Sequence, residues 1–222
     1  MSEAAREHGD RDRFLGRITA RQGPAPAAGP HQPPRVPASV PEVEVRALDG
    51  VHPHDPEALL AVFQAAAEAV DAVVHDDGAE VTVAAVVATH ELTRAVVSPE
   101  PAAQMLVPHL RAAGVDVHPP GLEAVTADLG VTGAVAGIAA TGSVVVDADL
   151  AGGRATSLLP RVHLCVLDRA DLVPGTADVL RRPPRPLPAH RVLVTGPSRT
   201  GDIEQIITLG AHGPVALHVL VV

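Results

Sequence analysis

Two stretches near the C-terminus gather the residue types that handle small anions: Thr195-Gly196-Pro197-Ser198-Arg199-Thr200-Gly201-Asp202-Ile203-Glu204 and Gly210-Ala211-His212-Gly213-Pro214. The first follows the β-branched run Val192 to Val194 and opens a stretch with helical apolar spacing, so it reads as a strand-to-helix turn. The first N–H groups of a helix have no intrahelical partners and carry partial positive charge, so a glycine-rich turn feeding one lets a phosphate or carboxylate reach the backbone. Ser198 and Thr200 have hydroxyls to cap that helix or donate to a ligand, and Arg199 offers a planar fork for a carboxylate or phosphate. A structural reading competes, because Asp202 and Glu204 in the first turn would already satisfy the helix dipole. Gly196 and Gly201 have the spacing of the P-loop glycine pair, but Asp202 stands where that loop needs lysine, which excludes a P-loop NTPase.

Further candidates lie upstream. Thr141-Gly142-Ser143 can supply backbone donors and Arg154 a bidentate clamp. With Ser198, Arg199 and His212 they compose one expected anion pocket; the structural alternatives are a tight turn at Gly142 and a loop ion pair at Arg154. Ser198, Asp202 and His212 also have the types of a hydrolytic triad, but Ser198 lacks the Gly-x-Ser-x-Gly elbow, and His212 is better placed to end a helix. His52 and His54 flank Pro53 without a third ligand at recognisable spacing, so they read as loop histidines rather than a metal site. His163 opens an apolar strand and is expected to be a hydrogen-bonded structural histidine. The lone Cys165 sits inside the apolar run Val162 to Leu167, which predicts a buried, inert thiol and rules out an iron–sulfur cluster held by this chain alone.

The elements that must position these groups follow from composition and pattern. At 222 residues the chain suits one α/β domain, and with aromatics at 1% its core must be built from Ala, Val, Leu and Ile. All 17 basic residues are arginine and the net charge is −9, with no basic stripe beyond Arg181, Arg182 and Arg185, which argues against nucleic acid as a partner. The uncharged run Val131 to Val146 is interrupted by Gly133, Gly137 and Gly142 and is too short for a membrane span. A charged N-terminus without a signal-type apolar segment points to the cytoplasm.

Residues 2–22 carry Phe14, Leu15 and Ile18 at helical spacing, and 23–41 form a Pro/Ala-rich linker. A domain over 42–222 follows. It opens on a strand at Glu42 to Leu48, then a helix from Asp55-Pro56 to about Val70 with Asp55 as N-cap. Strands are expected at Ala72 to His75, Ala95 to Ser98, Val115 to Val117, Ser143 to Val146, His163 to Leu167, Val192 to Thr195 and Val215 to Val222. Helices are expected at Ala102 to Ala113, closed by Gly114, at Leu172 to Leu180, and from about Thr200; Leu129 to Ala140 reads as a small-residue helical turn. Val81 to Thr93 is ambiguous, since β-branched residues oppose its helical spacing. This alternation predicts a mostly parallel sheet with helices on both faces and a ligand site at the C-terminal ends of its strands.

Leu129-Gly130-Val131-Thr132, Ile138-Ala139-Ala140-Thr141-Gly142-Ser143, Arg154 with Ser157-Leu158-Leu159-Pro160 and His163, and the two C-terminal blocks resemble, in order and spacing, the LUD domain of the lactate utilisation protein C family. The resemblance is close from about Asp128 onward and looser from 42 to there. It implies a Rossmann-like three-layer domain, similar to the superfamily of sugar-phosphate isomerases and CoA transferases. It further implies an accessory or ligand-binding role in a bacterial system oxidising L-lactate to pyruvate, with no cofactor in this chain and the iron–sulfur clusters in companion subunits. The alternative is a free-standing isomerase or acyl/CoA transferase. The chain departs from the family at Ala140, where an acidic residue is common, and so lacks a carboxylate there.

Overall fold

The computed structural model describes residues 55–181, 187–201, 207–210 and 212–222. The expected N-terminal helix, the linker, the strand at Glu42 to Leu48, and His52 and His54 lie outside these residues.

The first element is helix α1 (Pro56–Glu68), where Asp55 Oδ1 accepts from the N–H groups of Glu57 and Ala58 at 3.1 and 3.2 Å, and Pro56 costs nothing because its missing N–H would be unpaired there anyway. Strand β1 (Val73–His75) leads to α2 (Ala79–His90), and β2 (Arg94–Val97) to two short helices, α3 (Pro101–Gln104) and α4 (Val107–Ala112). The single helix expected over Ala102 to Ala113 is interrupted at Met105 and Leu106, since Pro108 cannot donate to the Gln104 carbonyl. The ambiguous segment is helical: Thr82, Val83 and Val86 are buried along one side of α2, and that packing outweighs the weak helix propensity of β-branched residues.

After β3 (Asp116–His118) come β4 (Leu129–Gly133), β5 (Ala136–Ile138) and β6 (Ser143–Asp147). The helical turn expected from Leu129 to Ala140 is therefore corrected: it is two strands, with only Ala139–Thr141 in a 3₁₀ turn. A strand buried on both faces shows no alternation to distinguish it from a buried helix, and every residue of β4 and β5 is buried. Gly130 is required by packing, because a Cβ there would overlap the Thr156 carbonyl of α5 (Ala155–Leu158).

The remaining elements are β7 (Val162–Leu167), β8 (Leu172–Val173), α6 (Thr176–Arg181), β9 (Arg191–Val194), β10 (Arg199–Gly201), β11 (Ile207–Leu209) and β12 (Ala216–Val221). The helix expected from about Thr200 is also corrected. Arg199 to Gly201 and Ile207 to Leu209 pair as antiparallel strands, so no helix N-terminus begins at Thr200, and residues 202–206 lie outside the described ones.

Six parallel strands form the main sheet in the order β1-β12-β7-β4-β2-β3. One face packs Val162, Leu164, Val166 and Leu220 against Val83 and Val86 of α2 and Leu106 and Leu110 around α4. The other packs Cys165, Leu167, Leu217 and Val219 against Leu59, Leu60, Phe63 and Ala67 of α1, and against Val144 and Val146 of a second sheet. That second sheet, β8-β5-β6-β9, is mixed. The three-layer α/β prediction holds, with the refinement that β strands share one outer layer with helices. Fully burying aliphatic side chains at about 1.5–3 kcal/mol each supplies the driving force in a chain almost without aromatics.

Candidate anion site

A cavity of about 280 Å³ lies beneath the turn that follows β9, lined among others by Ser157, His163, Thr195, Gly196, Ser198, Arg199, His212, Gly213 and Leu217. His163 and Leu217 stand at the beginnings of β7 and β12, so the cavity opens at the N-terminal rim of the parallel sheet. This corrects the expected position at the C-terminal strand ends. At the point where strand order reverses, between β2 and β4, the Glu100 carboxylate accepts from Ser98 Oγ at 2.6 Å and from the Gly133 N–H at 2.9 Å. A negative charge held in that crevice repels an anion.

The local backbone explains how the cavity is walled. Gly196 has φ +70°, and a Cβ on it would overlap the Val70 carbonyl, so the turn after β9 lies directly on the end of α1. The Ser198 N–H donates to the Pro214 carbonyl at 2.8 Å and its carbonyl accepts from Gly210 N–H at 2.9 Å, which ties the β10–β11 arm to the strand leading into β12. Gly213 packs on the Ser198 side chain, where a Cβ would come within 3.2 Å of Ser198 Cβ. Arg199 donates to Asp71 Oδ2 and to the Val70 carbonyl.

Four of the expected residues, Gly196, Ser198, Arg199 and His212, thus share one cavity, and no carboxylate is among its described lining residues. Thr141 and Ser143 join it indirectly: their hydroxyls lie 2.7 Å apart, and Ser143 Oγ lies 2.7 Å from Thr195 Oγ1 at the lining. Two expected members do not belong. Gly142 (φ +61°) presses its backbone against Ala67 of α1, where a Cβ would overlap the Ala67 main chain, and it is not among the residues lining this cavity. Arg154 is exposed and lines a separate cavity with Asp149 and His190. Asp202 and the Thr200 side chain lie outside the described residues. His212, exposed, follows the β10–β11 pair and ends no helix.

Sequence reasoning missed what His163 contributes. It is buried, and its Nε2 lies 2.8 Å from Thr132 Oγ1, as a structural histidine would be, yet Nδ1 has no partner among the described residues. Burial pushes its pKa down to about 4, so the ring is neutral near pH 7. A second group was also missed: His218 lies between His75 (Nε2 to Nδ1, 3.0 Å) and His90 (Nε2 to Nε2, 2.8 Å). Each neighbour faces a different nitrogen of His218, so the lone pairs do not converge on one metal, and among the described residues no metal-holding cluster occurs. No local signal joins positions so far apart in sequence.

Residues 121–222 match the LUD domain family model. That stretch is similar to a LUD domain. Over 102 residues it is 33% identical to lactate utilization protein C of Halalkalibacterium halodurans, covering 43% of this chain and 44% of that protein. It is 32% identical over 102 residues to lactate utilization protein C of Bacillus subtilis, covering 43% of this chain and 42% of that protein. It is 32% identical over 106 residues to the uncharacterized protein YkgG of Escherichia coli, covering 45% and 46%. The alignments therefore span less than half the length of these curated relatives. In fold, the chain resembles the crystal structure of a DUF162 family protein from Deinococcus radiodurans, with TM-score 0.53 and 24% identity, covering 76% of this chain and 99% of that one. The cavity residues His163, Ser198, Arg199 and His212 fall within the LUD match, whereas Asp71, which pairs with Arg199, precedes it. No helix among the described residues is long and apolar enough to cross a membrane.

Proposed function

We propose that the chain is an accessory or ligand-binding subunit of a bacterial system that oxidises L-lactate to pyruvate, and that its cavity holds a small carboxylate or phosphate. The observation that carries the anion reading is the lining: Ser198, Arg199 and His212 converge with no carboxylate among the described lining residues. A volume of about 280 Å³ suits a small acid, not a dinucleotide. The kinship with proteins named for lactate utilisation supplies the physiological side. The buried Cys165 cannot assemble an iron–sulfur cluster by itself, so in this reading electron carriers reside in partner subunits.

The test has two arms. Titrating the purified chain with L-lactate, pyruvate, phosphate and CoA should raise the melting temperature with at least one of them. Co-purification with the proteins encoded beside it, followed by lactate oxidation with and without this chain, should show loss of oxidation on omission. Four inert ligands would end the anion reading, and undiminished oxidation would end the subunit reading.

The alternative, an isomerase or acyl transferase, draws support from the imidazole of His163 in the cavity wall. Its pKa of about 4 makes it a weak general base at neutral pH, which favours a binding role. Turnover of an acyl-CoA or sugar phosphate by the isolated chain would reverse that preference.

A further inference from the structure

Three histidines from three elements form one chain on the α2 face of the main sheet. His218 of β12 is 6% exposed, and its Nδ1 lies 3.0 Å from Nε2 of His75, the last residue of β1. Its Nε2 lies 2.8 Å from Nε2 of His90, the last residue of α2. Among the described residues these are the only side-chain hydrogen bonds that α2 or β1 makes to another strand. β1 is an edge strand, and α2 rests on the sheet chiefly through Val83 and Val86. The chain therefore fastens an edge strand and the end of a helix to β12.

Counting hydrogens shows what the chain tolerates, whichever tautomers it holds. Each imidazole–imidazole bond needs one hydrogen between its two nitrogens, and the outer Nδ1 atoms of His75 and His90 can carry one each, so the intact chain holds at most four. Three neutral rings bring three. One added proton is accommodated with both bonds kept. A second sets two N–H groups against each other and breaks a bond.

Burial keeps the rings neutral near pH 7: it lowers His75 against the charges of Asp77 and Asp76, His90 with help from Arg161, and His218 with help from its two neighbours. Arg161 also donates to the His90 carbonyl, and Asp128 Oδ1 lies 3.9 Å from Arg161 Nε. Glu80 and Glu91, on and just after α2, are exposed; α4, which packs on α2 through Leu110, carries His109 and Arg111; β7 presents Val162, Leu164 and Val166 to this face. Asp76 and Asp77 draw the first proton to His75. The second goes to His90, where the last carbonyls of α2 favour a cation, rather than to the more deeply buried His218 beside a charged ring.

We propose that the His75–His218–His90 chain is a two-proton latch: one proton, on His75, leaves it closed, and a second, on His90, frees the end of α2 from β12 while the rest of the sheet stays folded. The bistable element is the C-terminal turn of α2, and the titrating group that moves it sits on that turn.

The experiment is an NMR titration of the full chain from about pH 7.5 to 4, following histidine ring nitrogens and backbone amides together. His75 and His90 should take up their protons in separate steps, His75 first. Amide resonances from Val86 to His90 should move with the second step only, while those of β4 and β7 stay in place. His90→Gln, whose amide can meet His218 as donor or acceptor but takes up no proton, should abolish the α2 movement and leave the His75 step. Amides of α2 that stay unmoved through both steps, or that move with the first, overturn the proposal. So does the rise of unfolded resonances with no earlier movement of α2, or an α2 movement that persists in His90→Gln. If the variant does not fold, the wild-type titration decides alone.

Discussion

Arg199, at the rim of the cavity, is ion-paired with Asp71, a residue in the turn between α1 and β1 that adopts φ +61°. The pair is solvent-exposed, with side chains 39% and 74% accessible, so it contributes little to stability. If the proposed anion reading holds, Asp71 competes with the guest for the same guanidinium.

Asp71→Asn should therefore strengthen anion binding. Asparagine tolerates the left-handed backbone, so the fold is kept while the competing charge is lost. Titration with phosphate is expected to show a severalfold lower Kd for Asp71→Asn and a severalfold higher one for Arg199→Ala. An unchanged Kd in both would show that the guanidinium does not face the guest.

Gly142→Ala should destabilise the domain more than Gly114→Ala. Both glycines have positive φ, which costs a side chain about 1 kcal/mol or more, but a Cβ at Gly114 meets nothing within 4 Å while one at Gly142 overlaps the Ala67 backbone. Urea unfolding should place Gly142→Ala at least about 2 kcal/mol below Gly114→Ala, since backbone cannot yield as a side chain does. Equal losses would mean that α1 does not press on this turn.

Stability should fall on acidification through the histidine range. Burial pushes His218 down to about 4, helped by the charges of His75 and His90, and burial alone does the same to His163. His75 and His90 are also lowered chiefly by burial, against the acidic Asp77 and Asp76 for the first and reinforced by Arg161 for the second. A histidine kept neutral when folded takes up its proton first in the unfolded chain. The unfolded form therefore gains as pH drops below about 6.5, and the loss levels off only near 4. His163 and His218 each account for roughly 3 kcal/mol, a large share of a typical domain's margin. Urea midpoints should be flat above pH 7 and decline steeply between 6.5 and 4, and His218→Leu should flatten part of that slope.

Cys165 should resist thiol reagents in the native state. Burial raises its pKa to about 12, opposed only in part by the Thr132 hydroxyl and reinforced by the Glu100 charge. At pH 8 a disulfide reagent should label the chain only after urea is added. Rapid native labelling would contradict the packing around β7.

Where a segment's fold depends on its own neighbours, it was legible. Asp55-Pro56 announces α1 by local capping chemistry, and the β-branched runs at β6, β7, β9 and β12 announce strands. Leu129 to Ile138 was not legible, because its small residues answer to partners far away: Gly130 to Thr156, and Gly137 to Leu167 and Leu172. The segment after Thr200 has helical apolar spacing, but its register is fixed by pairing Arg199 with Leu209.

By itself, then, the sequence determined a core of Val, Leu, Ala and Ile in an alternating α/β pattern, an inert cysteine, and the polar residues at 196–199 and 212, since composition and local spacing specify these. Only the tertiary structure decided that Ser198, Arg199 and His212 meet His163 at the N-terminal rim, that Arg154 and Gly142 stand apart, and that Glu100 holds the opposite crevice. The reason is physical: a site is made where strands of distant sequence are brought into register, and sheet order and close backbone packing, which set that register, depend on contacts no local pattern encodes.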